Sequence, residues 1–485
     1  MSTVEPSNVE LALAKNTHSK KGRVISWALW DWGTQPFYTV ITTFVFAVYI
    51  TTGSYFSADP NNSNGPTQAL SISTTLAGIV IAVIAPVLGQ TADRSGHLVR
   101  NLRWMTWALA LISMALFFVK PSPSYLVLGL ILLGVGSIIG EISQSFYNAT
   151  IDQVATEKNV GKISGFGWGM GYLGGILVLL LILVLFIQPE VGLFGVTDTP
   201  SKIRASMIVC GVWVLVFTIP SFLTLKDRPK RDHQVKLGVG GAYMALFRSI
   251  AHLWKSDRQV AYFLLASAIF RDGLAAIFSF GAVIAAQAFG FTTTEIIFFG
   301  AAANLIAGVV TILFGLLDDK IGPKKVILIC LGILTVGAVV VFFLHQPAYA
   351  QTCQAYDTVA QTCPDNPNFD MAASAQGKTI FWIFGLVLSC LCGPAQAASR
   401  SFLARIIPDG HSGEIFGLYT TTGRVISFIS PALFGVAVTV GAGLTGSGST
   451  QHWGLLAIAL VLAAGFCVLL PVKAQTTGIN TAPRQ

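Results

Sequence analysis

Ionisable side chains set inside long apolar stretches are the residues of this chain most able to do chemistry. Asp31, Glu141, Arg271, Asp272 and Arg424 each lie well inside such a stretch. A charge placed there costs about 2.5 kcal/mol or more, so it must pair, protonate or hold a ligand. Asp31 belongs to a row of Trp27, Asp31, Gln35, Tyr38 and Thr42, whose spacings of three and four put one polar-aromatic face on a helix. Ser137, Glu141, Ser145, Asn148 and Asp152 make a second such row. A carboxylate facing an internal cavity exchanges protons as its surroundings change. Asp31 and Glu141 lead the candidates for proton coupling, with Asp272 third. An arginine fork matches a carboxylate, so Arg271 and Arg424 are candidates to hold an anionic group or to neutralise those acids. Trp27, Trp32, Gln35, Tyr38, Asn148 and Trp168 complete the candidate substrate contacts.

Twelve apolar blocks must carry these residues, at about 24–50, 69–91, 102–119, 124–150, 163–188, 203–225, 259–287, 293–317, 325–345, 378–404, 415–440 and 452–472. Blocks of this length cross roughly 30 Å of hydrocarbon. They are too long for barrel strands, so they are helices. The composition agrees: 53% apolar, 11% charged and a mean hydropathy of +0.68, where a soluble domain carries roughly a quarter charged residues. The first 22 residues are polar and basic, with no cleavable signal pattern. A net charge of +8 invites a nucleic-acid reading, but the basic residues lie between apolar blocks, where they meet lipid headgroups instead.

Lys and Arg also set the orientation. With both termini cytoplasmic, only Lys120, Lys202, Arg204 and Lys378 fall outside and Arg271, Arg400 and Arg424 fall within spans, which leaves 23 of 30 on the inside. The expected organisation is a tail at 1–22, a six-helix half at 23–225, a cytoplasmic linker at 226–258, a second six-helix half at 259–472 and a tail at 473–485. This implies a multi-pass protein of the plasma membrane, acting as a monomer.

The two halves repeat. Gly89 to Gly96 and Gly315 to Gly322 both read Gly-x-x-x-Asp-basic-x-Gly, each after the second span of its half. An Asp facing a helix N-terminus, with a cation alongside, makes a charge cluster that can break and re-form. Asp93, Arg94, Asp319 and Lys320 are therefore the expected gate, and Arg400, near the cytoplasmic end of span 10, is expected to snorkel to the interface or to latch that gate. Gly167, Gly171 and Gly175 bare one face of span 5 for close helix contact. Cys353 and Cys363 share one outer loop and are a disulfide candidate.

Other matches lead nowhere. Gly169-x-Gly171-x-x-Gly174 follows no strand and lies in an apolar span, so it binds no dinucleotide. Gln376-Gly377-Lys378-Thr379 lacks the first glycine of a phosphate loop, with Ala372 in its place, so no ATP-binding segment remains and no cofactor is expected. The seven histidines are scattered and form no catalytic or metal set.

The paired charged turns resemble the signature of the major facilitator superfamily. Narrower stretches resemble its vacuole-effluxer-like branch, the "unknown major facilitator" family: Ser26 to Gly33, Phe146 to Ala149, Gly167 to Gly175, Asp272-Gly273, Ser399 to Pro408 and Phe416 to Phe428. Ile151-Asp152 stands where the family places Leu-Pro, and Arg424 where Lys is frequent. The resemblance implies an all-α membrane fold of about 12 helices in two pseudo-symmetric six-helix halves, with the substrate near the midplane between them. It also implies secondary transport of a small organic solute such as an amino acid or related zwitterion, coupled to protons. The aromatic-rich span 1 also suits an exporter of amphipathic drugs or lipids. A membrane-embedded enzyme lacks its catalytic cluster, and a sensor lacks a soluble domain.

Overall fold

The computed structural model describes residues 20–51, 53–57, 65–156, 158–227, 258–291, 293–351, 369–407, 412–445 and 450–473. These residues form helices and connecting turns with no strand among them, six spans before residue 226 and six after residue 258. Spans 2 to 6 are Gly65–Ser95, Leu98–Ala115, Leu126–Ala149, Val160–Ile182 and Thr199–Thr224. Spans 7 to 10 are Arg258–Phe289, Thr293–Ile321, Pro323–Leu344 and Met371–Ile406, and span 12 is Gly454–Leu469. Ten helices among the described residues are long and apolar enough to cross a membrane. The other two spans are the first, which is divided, and the second, which contains the apolar stretch Ile72–Ile84. Large apolar side chains such as Leu111, Val127, Leu313 and Phe343 point outward, as lipid requires.

Spans 1 and 11 are interrupted, each beside a proline. Span 1 runs Lys20–Gln35, then a π-helical stretch Pro36–Phe44, then Phe46–Thr51. Pro36 has no N–H to give the carbonyl of Trp32. The Trp213 indole N–H donates to that oxygen instead, at 3.3 Å. Span 11 runs Ser412–Ile426 and Ile429–Thr445, with Pro431 in the first turn of the second piece.

Successive spans alternate in direction, which gives the molecule two ends. The base carries the ends near Lys20, Ser95, Leu98, Ile321 and Ile406; the mouth carries the opposite ends. Base ends are tied by side chains: Asp227 accepts from the amides of Val99 and Arg100 at 2.8 and 3.1 Å, and Gln153 and Lys226 exchange bonds at 3.0 and 3.1 Å. The halves meet where span 5 packs on spans 8 and 10, and where span 11 packs on spans 2 and 4.

The repeated motifs are mostly helix, not turn. Span 2 continues to Ser95 and span 8 to Ile321, and only Gly96 and Gly322 turn the chain, at φ of 70° and 89°. A side chain at either φ is strained, which accounts for the glycine in both repeats.

Candidate functional site

Span 5 sets the site, because its glycines let three helices approach at once. A Cβ on Gly165 would lie 2.7 Å from the Thr311 carbonyl and 2.8 Å from the Gly315 Cα, and one on Gly169 would lie 2.8 Å from the Gly308 carbonyl. Gly161, Gly165 and Gly169 thus form a bare stripe against span 8. Gly167, Gly171, Gly174 and Gly175 form another against span 1, meeting Trp27, Gln35, Trp32 and Thr39 in turn. The first stripe brings the two halves into backbone contact.

Four polar clusters lie between base and mouth. Nearest the base, Asp319 at the end of span 8 accepts from the amides of Gly161 and Lys162 at 2.8 and 2.9 Å, across the halves. Free amides at a helix start attract an anion. Arg405 of span 10 sits 2.9 Å from Asp319 and 3.4 Å from Asp318, and Asp318 also accepts from the Ser401 hydroxyl. Lys320 is exposed. The side chains of Asp93 and Arg94, the Cys353–Cys363 pair, residues 228–257 and both chain ends fall outside the described residues.

The second cluster centres on Arg400. It is 1% exposed, so it does not snorkel to an interface. It donates to the hydroxyl and carbonyl of Ser164 at 2.9 and 2.6 Å and to Asn148 Oδ1 at 3.1 Å, and pairs with Asp31 at 3.4 Å. Asp31 is 4% exposed and takes a further bond from Gln144 at 3.5 Å. Trp27, Tyr147 and Trp168 surround the guanidinium, their centroids 5.0, 5.7 and 5.8 Å away. Tyr147 stacks on Trp27 and Trp30 at 4.5 and 4.3 Å. Gly167 makes room, since a Cβ there would lie 2.9 Å from Arg400 Nη2. Arg400 belongs to span 10 and its partners to spans 1, 4 and 5, so this dry ion pair joins the halves. A buried pair of this kind stabilises only when its donors are satisfied, and four of the five Arg400 N–H groups have acceptors here.

The third cluster is Glu141 of span 4 with Arg424 of span 11, a second pair across the halves. It is wetter than the first, with side chains 25% and 36% exposed. In the fourth, Arg271 lies 3.9 Å over the ring of Tyr419 and donates to its carbonyl at 2.9 Å. The Tyr419 hydroxyl is in turn held by Ser399 at 2.8 Å. Asp272 points elsewhere. It accepts from the Ser430 amide at 2.7 Å, in the first turn of the outer piece of span 11, and so caps the broken helix.

Above these clusters a cavity of about 490 Å³ opens on the mouth side, between spans 1, 5, 7, 8, 9, 10 and 12. Gln35, Tyr38, Tyr172, Asn304, Ser389 and Gln396 are prominent among its polar groups, aliphatic and aromatic side chains cover most of the rest, and no Asp, Glu, Lys, Arg or His lines it among the described residues. The buried Tyr38 hydroxyl has no hydrogen-bond partner among the described residues. Of the substrate contacts expected from sequence, Gln35 and Tyr38 line this cavity. Trp27, Asn148 and Trp168 surround Arg400 instead, Trp32 packs against Trp213, and Arg271 and Arg424 lie in the charged clusters. Asp318, Arg405, Ser164, Gln144 and Tyr147 join the site without having been expected there. Asp318 adjoins a motif aspartate, and that adjacency was the available signal.

The chain matches the family model "Vacuole effluxer Atg22 like" over residues 152–477. It belongs to the Atg22-like vacuole effluxer family. These are major facilitator transporters, and the chain is a multi-pass integral membrane protein, not an enzyme. An uncharacterized MFS-type transporter of Bacillus subtilis, YxiO, is 24% identical over 93% of this chain and 95% of its own length. Autophagy-related protein 22-1 of Aspergillus clavatus is 25% identical over 60% of this chain, which spans 46% of that longer protein. Among solved structures, the proton:xylose symporter XylE superposes with a TM-score of 0.66 at 12% identity, covering 93% of this chain and 95% of that one. A bacterial homologue of ferroportin in its outward-facing state gives 0.62 at 15%, covering 93% and 98%. At such identities these two establish the shared fold.

Proposed function

We propose that this Atg22-like transporter is a proton-coupled secondary transporter of a small organic solute, held here with its base shut and its mouth open. Its termini and base face the cytoplasm, in the plasma membrane, and it works as a monomer. The observation that carries the reading is the division between ends: ion pairs and glycine contacts join the halves at the base, while a solute-sized cavity separates them toward the mouth. Alternating access reverses that division.

Glu141 is the coupling group in this reading. A partly exposed carboxylate in mid-span, whose arginine partner belongs to the other half, loses that partner when the halves rock apart. It then takes up a proton, and releases it when Arg424 returns. Asp31 responds in the same way behind it, when Arg400 withdraws. Asp272 is a helix cap first and only a secondary proton site. The solute carries an apolar body, as an amino acid with a large side chain does. The apolar, uncharged wall also favours a second reading, export of amphipathic compounds.

Purified protein in liposomes, given a pH gradient and a panel of labelled amino acids and amphiphiles, tests this. Wild type should accumulate a solute against its gradient. Glu141→Gln should lose accumulation while still exchanging solute. Wild-type accumulation by both Glu141→Gln and Asp31→Asn would remove the proton assignment.

A further inference from the structure

The three arginines within spans are not equivalent. Arg400 faces Asp31 and Arg424 faces Glu141, while Arg271 has no carboxylate partner among the described residues. Its neighbour Asp272 is committed to the Ser430 amide. A guanidinium deep in a span without a counter-ion requires a reason for being there.

Arg271 is nonetheless a built feature. The Tyr419 ring beneath it, the Tyr419 carbonyl on Nη1 and the Ser399 hydroxyl behind Tyr419 fix its position. A Cβ on Gly423 would lie 3.2 Å from Arg271 Nη1, so span 11 is bare where the guanidinium passes. One Nη1 bond leaves four of the five guanidinium N–H groups without an acceptor among the described residues.

Helix geometry aims it at the cavity. Phe278 and Ala282 line the cavity on span 7, seven and eleven residues beyond Arg271. Those spacings return to the same helix face, with Arg271 about 10 Å below Phe278. From the other side, Gln396 lines the cavity three residues from Ser399, the residue that holds Tyr419. Arg271 thus lies below the chamber, on the face of span 7 that lines it higher up, near the Glu141–Arg424 pair.

We infer that Arg271 is the anion-recognition residue of this transporter, taking the carboxylate or an equivalent monoanionic group of a solute whose apolar body fills the cavity above. This rests on the proposed transport reading but not on proton coupling. Tyr419 is a positioning residue, and the fork supplies the two parallel donors a carboxylate needs.

The test is equilibrium binding in detergent, with no gradient, read as thermal stabilisation. The probes are leucine, phenylalanine and phenylacetate, each beside its neutral-head counterpart: leucinamide, phenylalaninamide and phenylacetamide. An acid should stabilise the wild type and its amide should not. Arg271→Gln should weaken the acid response by about tenfold or more, and Arg271→Lys, which keeps charge but not the fork, by less. The measurement uses no gradient and compares acid with amide at one pH, so a failure of proton coupling leaves this result standing. Equal responses to acid and amide, an undiminished response in Arg271→Gln, or no response to any acid would each overturn the assignment. Where Arg271→Gln does not fold, Arg271→Lys and Tyr419→Leu decide it by the same comparison.

Discussion

Base and mouth close off the same protein with opposite chemistry. At the base, Asp319 on the amides of span 5, Arg400 on Asp31, and glycine against glycine join the two halves through contacts of fixed geometry. At the mouth the walls are aliphatic and aromatic, and an ion pair there among the described residues, Glu295 with Lys378 at 2.8 Å, joins spans 8 and 10 of one half. Directional bonds are lost together when a backbone shifts by an ångström or two, so they suit a gate with two states. Apolar walls adapt to whatever fills them, so they suit a binding chamber.

The comparison breaks most sharply at Arg400. Arg400→Ala leaves Asp31 buried without its counter-ion, a loss of about 3–5 kcal/mol. Melting of the purified protein should fall accordingly, and Asp31→Asn with Arg400→Gln should recover part of it. A melting point unchanged in Arg400→Ala would mean that the base is not held by this pair.

Gly165→Ala comes next. Its methyl would press on span 8 backbone, which cannot rotate away, at a cost of about 1–3 kcal/mol to the base-closed state. A cysteine placed at exposed Lys162 should label faster in this variant, while one at exposed Thr43, near the mouth, should not.

The smallest effect is at the mouth itself. Asp198 caps span 6 by accepting from the Ser201 amide at 2.9 Å, and that bond holds its carboxyl below the usual carboxylate range. Asp198→Ala should cost about 1 kcal/mol or less. The stabilisation is present above the unfolded value of about 3.9 and is lost as pH falls through the lower folded one. Wild type and variant should therefore converge in acid and differ at neutral pH.

Much of this was legible in the sequence. The spans follow from apolar length, and charges within them stand out because lipid makes them costly. Glu141 and Arg424 could be marked as possible partners on that ground. Gly96 and Gly322 could be read as a repeat, though not as the only turn in motifs that are otherwise helical. The pairing of Arg400 with Asp31 could not be read, since it depends on the rotation of span 10 against the glycine-rich span 5, where its partner Ser164 lies 236 residues earlier in the chain. Span 5 carries two glycine stripes that interleave, and periodicity along one helix does not say which neighbour each will meet. The cavity is assembled from several spans, so no local pattern announces it. Trp27 and Trp168 look like substrate contacts in sequence because aromatic rings serve both ligands and cations; here they surround Arg400.

The central claim is that base and mouth exchange states, and distances between spin labels measure that directly. One pair of labels spans the halves at the base, on Lys162 and Lys320, and another at the mouth, on Thr43 and Phe298, all four exposed positions. In wild type the base pair should hold one short distance and the mouth pair a long one. In Asp319→Asn combined with Arg400→Gln, a longer base distance should appear together with a shorter mouth distance, in matching proportions. Base distances that lengthen with the mouth unchanged, or no second population at either end, would contradict the account.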